Sequence, residues 1–159
     1  MNKQDVVAVV LGGPSSEAEV SRRTGGAIAE ALREKGYNAV EVELVPEKLV
    51  EQLREIDAKV VFNAVHGMYG EDGRLQSILE AIKMPYTGSG VLASAVAMDK
   101  VATKRFLISA NISTPKCLMY NKRFDNDMAK IEKEIIATFG VPVVIKAADQ
   151  GSSIGVEIV

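Results

Sequence analysis

The sequence predicts an α/β fold in which a parallel sheet is covered by helices on both faces, followed by an incomplete α+β segment. Three observations predict it. Val6-Val7-Ala8-Val9-Val10-Leu11 is an unbroken apolar run without alternation, the pattern of a strand buried on both faces of a parallel sheet. Further strand-like runs then alternate with stretches of helical periodicity as far as Ile82, an alternation that favours right-handed crossovers and ligand sites near the carboxyl ends of the strands. Beyond Pro85-Tyr86-Thr87-Gly88-Ser89-Gly90 the order changes to helix, helix, strand, helix, strand and strand, with nearly no separate core.

Taken in order, the first strand is ended by Gly12-Gly13. Ser16 and Glu19 have the spacing of a capping box, and Val20, Ala27, Ile28, Ala31 and Leu32 recur on one helical face until Gly36. Ala39 to Leu44 reads as the second strand. Pro46 marks a helix start, with Leu49, Val50, Leu53 and Ile56 as its buried stripe. Val60-Val61-Phe62 is the third strand, and Leu75, Ile78, Leu79 and Ile82 have amphipathic helical spacing. Helices are expected around Val91 to Ala97 and Asp99 to Ala110, and a strand at Lys116 to Tyr120. Met128, Ile131, Ile135 and Phe139 mark another helix, and Val141 to Ala147 and Gly155 to Val159 two more strands. The boundary between the two parts falls near Met98.

Composition narrows the function classes. Of 159 residues, 47% are hydrophobic and 25% charged, the profile of an ordinary globular protein. The formal net charge of −2 is spread along the chain, with no block of basic residues for a nucleic-acid backbone or an anionic membrane. Neither nucleic acid nor membrane is expected as a partner. Cys117 is the one cysteine, so no intrachain disulfide or cysteine-based metal site can form, and a reducing cytoplasm is expected. The apolar run before Gly12 is too short for a signal peptide.

Several residues are of the right type and place for chemistry. Gly12-Gly13-Pro14-Ser15-Ser16-Glu17 lies between a strand and a helix, where free N–H groups and the helix dipole favour an anion, but it is not a G-x-G-x-x-G fingerprint, and no acidic residue for a ribose is read at Leu44. Glu17 is either a ligand carboxylate or an acid that stabilises the first helical turn. His66, the one histidine, follows a strand at the ligand-binding end of the sheet. It reads equally as a hydrogen-bonded loop residue. Gly67 to Gly73 is either a surface turn or a loop that lets backbone approach a substrate. Lys100 and Lys146 are cations suited to nucleotide phosphates. Lys100 is alternatively solvated on its helix, whereas Lys146 lies in an apolar strand, where an unpaired charge is costly. Gly151-Ser152-Ser153 is either a phosphate-wrapping loop or a plain hairpin turn.

In combination these motifs closely resemble D-alanine–D-alanine ligases, which are ATP-grasp enzymes. The resemblance rests on Leu11-Gly12-Gly13-Pro14-Ser15-Ser16-Glu17 with Glu19-Val20-Ser21, Val65-His66-Gly67 with Gly70-Glu71-Asp72-Gly73, Pro85-Tyr86-Thr87-Gly88-Ser89-Gly90 with Met98-Asp99-Lys100, and Lys146 with Gly151-Ser152-Ser153. It extends over the whole chain. It implies a Rossmann-like, D-alanine-binding pre-ATP-grasp domain over residues 1–97 and the first part of an ATP-grasp domain over 98–159. In that reading Glu17 holds the ammonium of the first D-alanine, assisted by the region of His66. Ser152 positions the second and ties its loop to Glu17. Lys100 and Lys146 clamp ATP phosphates, with Ser153 and the Gly151 backbone in the covering loop. ATP phosphorylates the first carboxylate, and the second amine attacks the acylphosphate to form the dipeptide of the peptidoglycan precursor. Magnesium bridges the phosphates, and a homodimer through the first domain is implied.

Two departures accompany the resemblance. Ala147 stands where these enzymes commonly have a proline after the lysine. The family also continues well past the position of Val159, in a part that carries the magnesium ligands, an oxyanion arginine and much of the adenine pocket. The 159 residues are therefore expected to be inactive alone. D-alanine–D-lactate or D-alanine–D-serine ligation, and a non-catalytic module that binds D-alanine or dimerises, stand as the other expectations.

Overall fold

The computed structural model describes residues 2–159, which fall into two compact units, one running to Met98 and one from Asp99. In the first, β1 (Val6–Leu11) lies between β2 (Asn38–Glu43) and β3 (Ala58–Asn63), and all three strands are parallel. Val7 to Leu11 are all buried, as the unbroken apolar run requires. Successive side chains leave on opposite faces. Ala8 and Val10 join Val42, Leu49, Leu53, Leu75 and Leu79 on one side, whereas Val9 and Leu11 join Ala29, Ala39 and Ala64 on the other.

Helices cover both faces. α1 (Ala18–Glu34) supplies Ala29, with Ile28 and Leu32, to the second cluster, and α2 (Leu49–Glu55) and α3 (Arg74–Ala81) supply Leu49, Leu53, Leu75 and Leu79 to the first. Neither α2 nor α3 has a side-chain cap. A cap contributes about 1 kcal/mol, whereas each leucine buried at 0–1% exposure contributes roughly 1.5–3 kcal/mol. Burial therefore fixes these short helices. Beyond β3, Val61 donates to the Pro85 carbonyl at 2.8 Å and accepts from Thr87 N–H at 3.0 Å, so Pro85 to Thr87 extends the sheet as a parallel bridge.

α1 departs from the expected pattern in two respects. The capping box does not form: Glu17 is the N-cap, it makes no side-chain cap bond, and its N–H is taken by the Ser15 hydroxyl at 3.0 Å. The buried stripe is Ser21, Gly25 and Ala29, while Val20, Ala27 and Ala31 are exposed. The reason is close approach. A Cβ on Gly25 would lie 2.6 Å from Leu11 Cβ, so the sheet selects small residues at the contact. Pro46 precedes α2 by a turn, and β3 is longer than Val60 to Phe62.

The first unit closes with α4 (Val91–Met98). In the second, α5 (Lys100–Ser109) is capped by Asp99, whose carboxylate accepts from Val101 N–H at 2.8 Å and Ala102 N–H at 2.9 Å. α6 (Met128–Phe139) is capped likewise by Asp127. β4 (Val144–Lys146) pairs with β5 (Val156–Ile158) in an antiparallel hairpin shorter than the expected runs. Lys116 to Tyr120 forms no strand. The stretch before it is held by a side chain instead, with Lys104 Nζ donating to Thr114 Oγ1 at 3.0 Å and to the Pro115 carbonyl at 2.6 Å. No residue from Asp99 to Val159 is buried, in keeping with a segment that has nearly no core of its own. Among the described residues no helix is long and apolar enough to cross a membrane.

Candidate functional site

Two groups of the expected residues form, one in each unit. In the first unit the loops after β1 and β3 meet at the carboxyl end of the sheet. Gly67, at φ +67°, passes so close to the start of α1 that a Cβ there would lie 2.8 Å from both Glu17 Oε2 and Ser15 Oγ. Glycine is thus required twice over, for its backbone conformation and for space. Glu17 is half-buried, and among the described residues its carboxylate accepts no hydrogen bond and forms no ion pair. His66, also half-buried, has Nε2 at 3.3 Å from Thr24 Oγ1 and Nδ1 at 3.7 Å from Glu71 Oε1. The Glu17 carboxylate stands at the N-cap of α1, so the helix dipole stabilises its charge in the absence of a side-chain partner.

The glycine loop after β1 is not a free anion cradle. Gly12 N–H donates to Ser21 Oγ at 2.8 Å, and Gly13 N–H donates to Glu43 Oε1 at 3.2 Å. Arg22 holds Glu43 with both ends of its fork, Nε to Oε2 at 3.1 Å and an Nη to Oε1 at 2.7 Å. That hydrogen bonding holds the Glu43 carboxyl below its ordinary range. The two N–H groups are thus spent within the protein. The sheet edge beside Leu44, read as lacking an acid, carries one in Glu43, and it is already paired.

Gly67 to Gly73 is a braced loop rather than a plain turn. Asn63 Nδ2 and Gln76 Nε2 both donate to the Gly70 carbonyl at 2.8 Å, and Asn63 Oδ1 accepts from Val65 N–H at 3.0 Å. Asp72 accepts from Tyr69 N–H at 3.0 Å and Arg74 N–H at 3.1 Å. Sequence reasoning includes Ser21 only within the Glu19-Val20-Ser21 motif, without a role, and misses Asn63 and Gln76. The available signal was a polar residue within an otherwise apolar strand or helix face.

In the second unit the hairpin gathers Lys100, Lys146, Gly151, Ser152 and Ser153. Lys100 begins α5, and its backbone N–H donates to the Ala148 carbonyl at 2.9 Å while its Nζ donates to the Gln150 carbonyl at 2.6 Å. It is therefore engaged with the loop rather than merely solvated. Lys146 ends β4 opposite Val156 and is exposed, as is the whole strand. The expectation of a costly buried charge is thus overturned, because a sheet of two strands leaves both faces open here. Among the described residues the Lys146 ammonium has no hydrogen bond or ion pair. The loop closes through Ala147 N–H to the Gly155 carbonyl at 3.0 Å and Ile154 N–H to the Gly151 carbonyl at 3.2 Å, with Ser152 at φ +53°. It is longer than a two-residue hairpin turn, and both serine side chains are exposed. Among the described residues no three His, Cys, Asp or Glu side chains cluster to hold a metal ion.

A parallel α/β unit is thus followed by an α+β unit that carries Lys146 on a hairpin, the order expected for the first part of an ATP-grasp protein. Family models described as D-ala D-ala ligase N-terminus and D-ala D-ala ligase C-terminus match residues 43–89 and 106–159. The chain belongs to the D-alanine–D-alanine ligase family. It is 47% identical over 154 residues to the D-alanine–D-alanine ligase of Moorella thermoacetica, covering 96% of this chain and 50% of that relative. The corresponding ligase of Carboxydothermus hydrogenoformans is 45% identical, with 96% and 49% covered. Among solved structures, the D-alanine–D-alanine ligase of Bacillus anthracis superposes with a TM-score of 0.83 at 36% identity over 98% of this chain and 49% of that one. The same enzyme complexed with ATP gives 0.81 at 34% identity, with 98% and 50% covered. The chain spans about half the length of the curated relatives it matches.

Proposed function

We propose that this chain is the substrate-binding domain and the first part of the ATP-binding domain of an enzyme that joins two D-alanines at the expense of ATP. The observation that carries this reading is the Glu17 carboxylate, half-buried beside Gly67 and without a side-chain partner among the described residues. It is placed to take the ammonium of the first D-alanine, with His66 in the adjoining loop. Residues 1–97 form the D-alanine-binding pre-ATP-grasp domain, and residues 98–159 begin the ATP-grasp domain.

On the nucleotide side Lys146 supplies an unspent cation to phosphate oxygens. Lys100 has three ammonium donors, of which Gln150 takes one, leaving others for a phosphate. Gly151 and Ser153 offer N–H and hydroxyl donors from the covering loop, and Ser152 positions the second D-alanine. Phosphoryl transfer to the first carboxylate gives an acylphosphate, which the amine of the second D-alanine attacks, releasing phosphate. Alignment and neutralisation of oxygen charge are what such a reaction needs, and no protein nucleophile is required. The residues present fit the phosphates of ATP. Among the described residues no three His, Cys, Asp or Glu side chains gather to hold magnesium, and the phosphate neutralisation assigned to this chain is that of Lys100 and Lys146. The product serves peptidoglycan synthesis in the cytoplasm, in a homodimer formed through the first domain. Relatives named D-alanine–D-alanine ligase support this reading over the D-lactate and D-serine alternatives.

The test is phosphate release from ATP by this chain expressed together with the segment that its relatives carry beyond it. Release is expected with D-alanine and not with L-alanine. Equal release with both would remove the stereochemical assignment, and no release with any D-amino acid would remove the ligase assignment.

A further inference from the structure

Ser21 joins the turn after β1 and the end of β3 to α1, the helix that Glu17 caps, and it lies outside every role assigned above. It is fully buried, at 0% exposure, one turn into α1. Its hydroxyl accepts from Gly12 N–H at 2.8 Å and donates to the Ala64 carbonyl at 2.7 Å, while its own N–H donates to the Glu17 carbonyl at 3.0 Å. Gly12 is where the chain leaves β1. Ala64 is where it leaves β3, two residues before His66. A single hydroxyl thus links the turn after β1 to the strand end that leads into His66 and Gly67, from the helical turn that carries Glu17.

The arrangement is specific to a hydroxyl. The position needs one acceptor and one donor on the same atom, which serine provides and alanine does not. It also needs a small side chain, because α1 lies so close to the sheet at Gly25, one turn further on. Removing the oxygen leaves a buried N–H and a buried carbonyl without partners, which is costly in a dry setting. Relaxation of either segment changes the spacing between Glu17 and Gly67, which leaves no room for a Cβ on Gly67.

We propose that Ser21 is a positioning residue for the first amino-acid subsite: it fixes the Glu17 carboxylate against the His66–Gly67 backbone and so sets the affinity for the D-alanine ammonium. This rests on the D-alanine reading of that subsite. The experiment compares Ser21→Ala and Ser21→Thr in the polypeptide extended to the length of its relatives, reading apparent KM for D-alanine and for ATP separately. Ser21→Ala is expected to raise the D-alanine value about tenfold or more, which is the scale of one unpaired buried group, and to leave the ATP value within about twofold. Ser21→Thr keeps the hydroxyl and is expected to recover most of that loss. A D-alanine KM within twofold of the unsubstituted protein, or parallel changes in both constants, overturns the proposal. An equal loss in a folded Ser21→Thr protein assigns the effect to packing and overturns it as well. Should Ser21→Ala fail to fold, Ser21→Cys, similar in size and weaker in both hydrogen bonds, is read by the same criteria. Should the unsubstituted protein not use D-alanine at all, the ligase reading fails separately. Positioning is then decided on the 159-residue chain by the backbone resonances of His66 and Gly67, which must shift in the substituted protein; resonances that stay in place overturn the claim.

Discussion

Lys100 and Lys146 carry the same charge and meet it differently. Lys100 spends one donor on the Gln150 carbonyl, whereas Lys146 has an exposed ammonium with no partner among the described residues. Removing Lys146 therefore leaves no orphaned protein group, and its effect falls on the ligand. In the extended polypeptide, Lys146→Ala is expected to raise the apparent KM for ATP at least about tenfold, the scale of a charge-assisted contact, with little change for D-alanine. Steady-state kinetics with each substrate varied in turn decides it; a loss confined to D-alanine would reverse the assignment of the two residue groups. Legibility at this scale divides by what a residue depends on. Glu17, His66 and the serine loop are singled out by ordered motifs, because each motif is a short contiguous stretch of sequence. Ser21, Asn63 and Gln76 act on carbonyls and N–H groups of other segments, and nothing in local spacing says which carbonyl lies opposite. The exposure of Lys146 was illegible for a related reason, since an apolar strand is buried only if other elements cover it.

At the scale of elements, the β1-to-α1 turn is organised by Glu43 from the end of β2. Arg22 on α1 and Gly13 N–H after β1 both bond to that carboxylate, so one residue joins three elements. The folded protein holds the Glu43 carboxyl below its ordinary value of 4.5, chiefly through Arg22. A depressed carboxyl stabilises the fold fully above its unfolded value and loses that contribution as pH falls toward the folded one. Glu43→Gln is accordingly expected to lower the melting midpoint at about pH 7 by an amount that shrinks toward about pH 3. The contribution is modest and salt-sensitive, because the pair is about half exposed. Thermal melts at several pH values measure it, and a difference independent of pH would assign the loss to packing. The alternation of strands and helices in this unit was legible because its period follows from burial. Of the expected stripe of α1, Ile28 and Leu32 pack on the core, but Val20, Ala27 and Ala31 do not, because the closest contacts are small residues, Ser21, Gly25 and Ala29, selected by close approach. Lys116 to Tyr120 failed as a strand since local propensity supplies no ladder partner.

For the whole molecule, the two units differ in what holds them. The first has apolar clusters on both faces of its sheet, whereas no residue from Asp99 to Val159 is buried. Opening free energies follow buried apolar contact. In the 159-residue chain, amide hydrogen exchange is expected to be slowest in Val7 to Val10 and to be faster by orders of magnitude in α6 and the β4–β5 hairpin. Uniformly slow exchange through Ile158 would contradict the difference. The position of β1 has a further consequence during synthesis. It is made first, yet its second partner, β3, is complete only when Asn63 has been added. At about 5–20 residues per second the intervening stretch takes on the order of 3 to 10 s to translate. For that interval an apolar, β-prone segment waits with at least one edge open, which is the kind of segment that self-associates. The most protected strand of the finished protein is thus the one whose second neighbour is made longest after it.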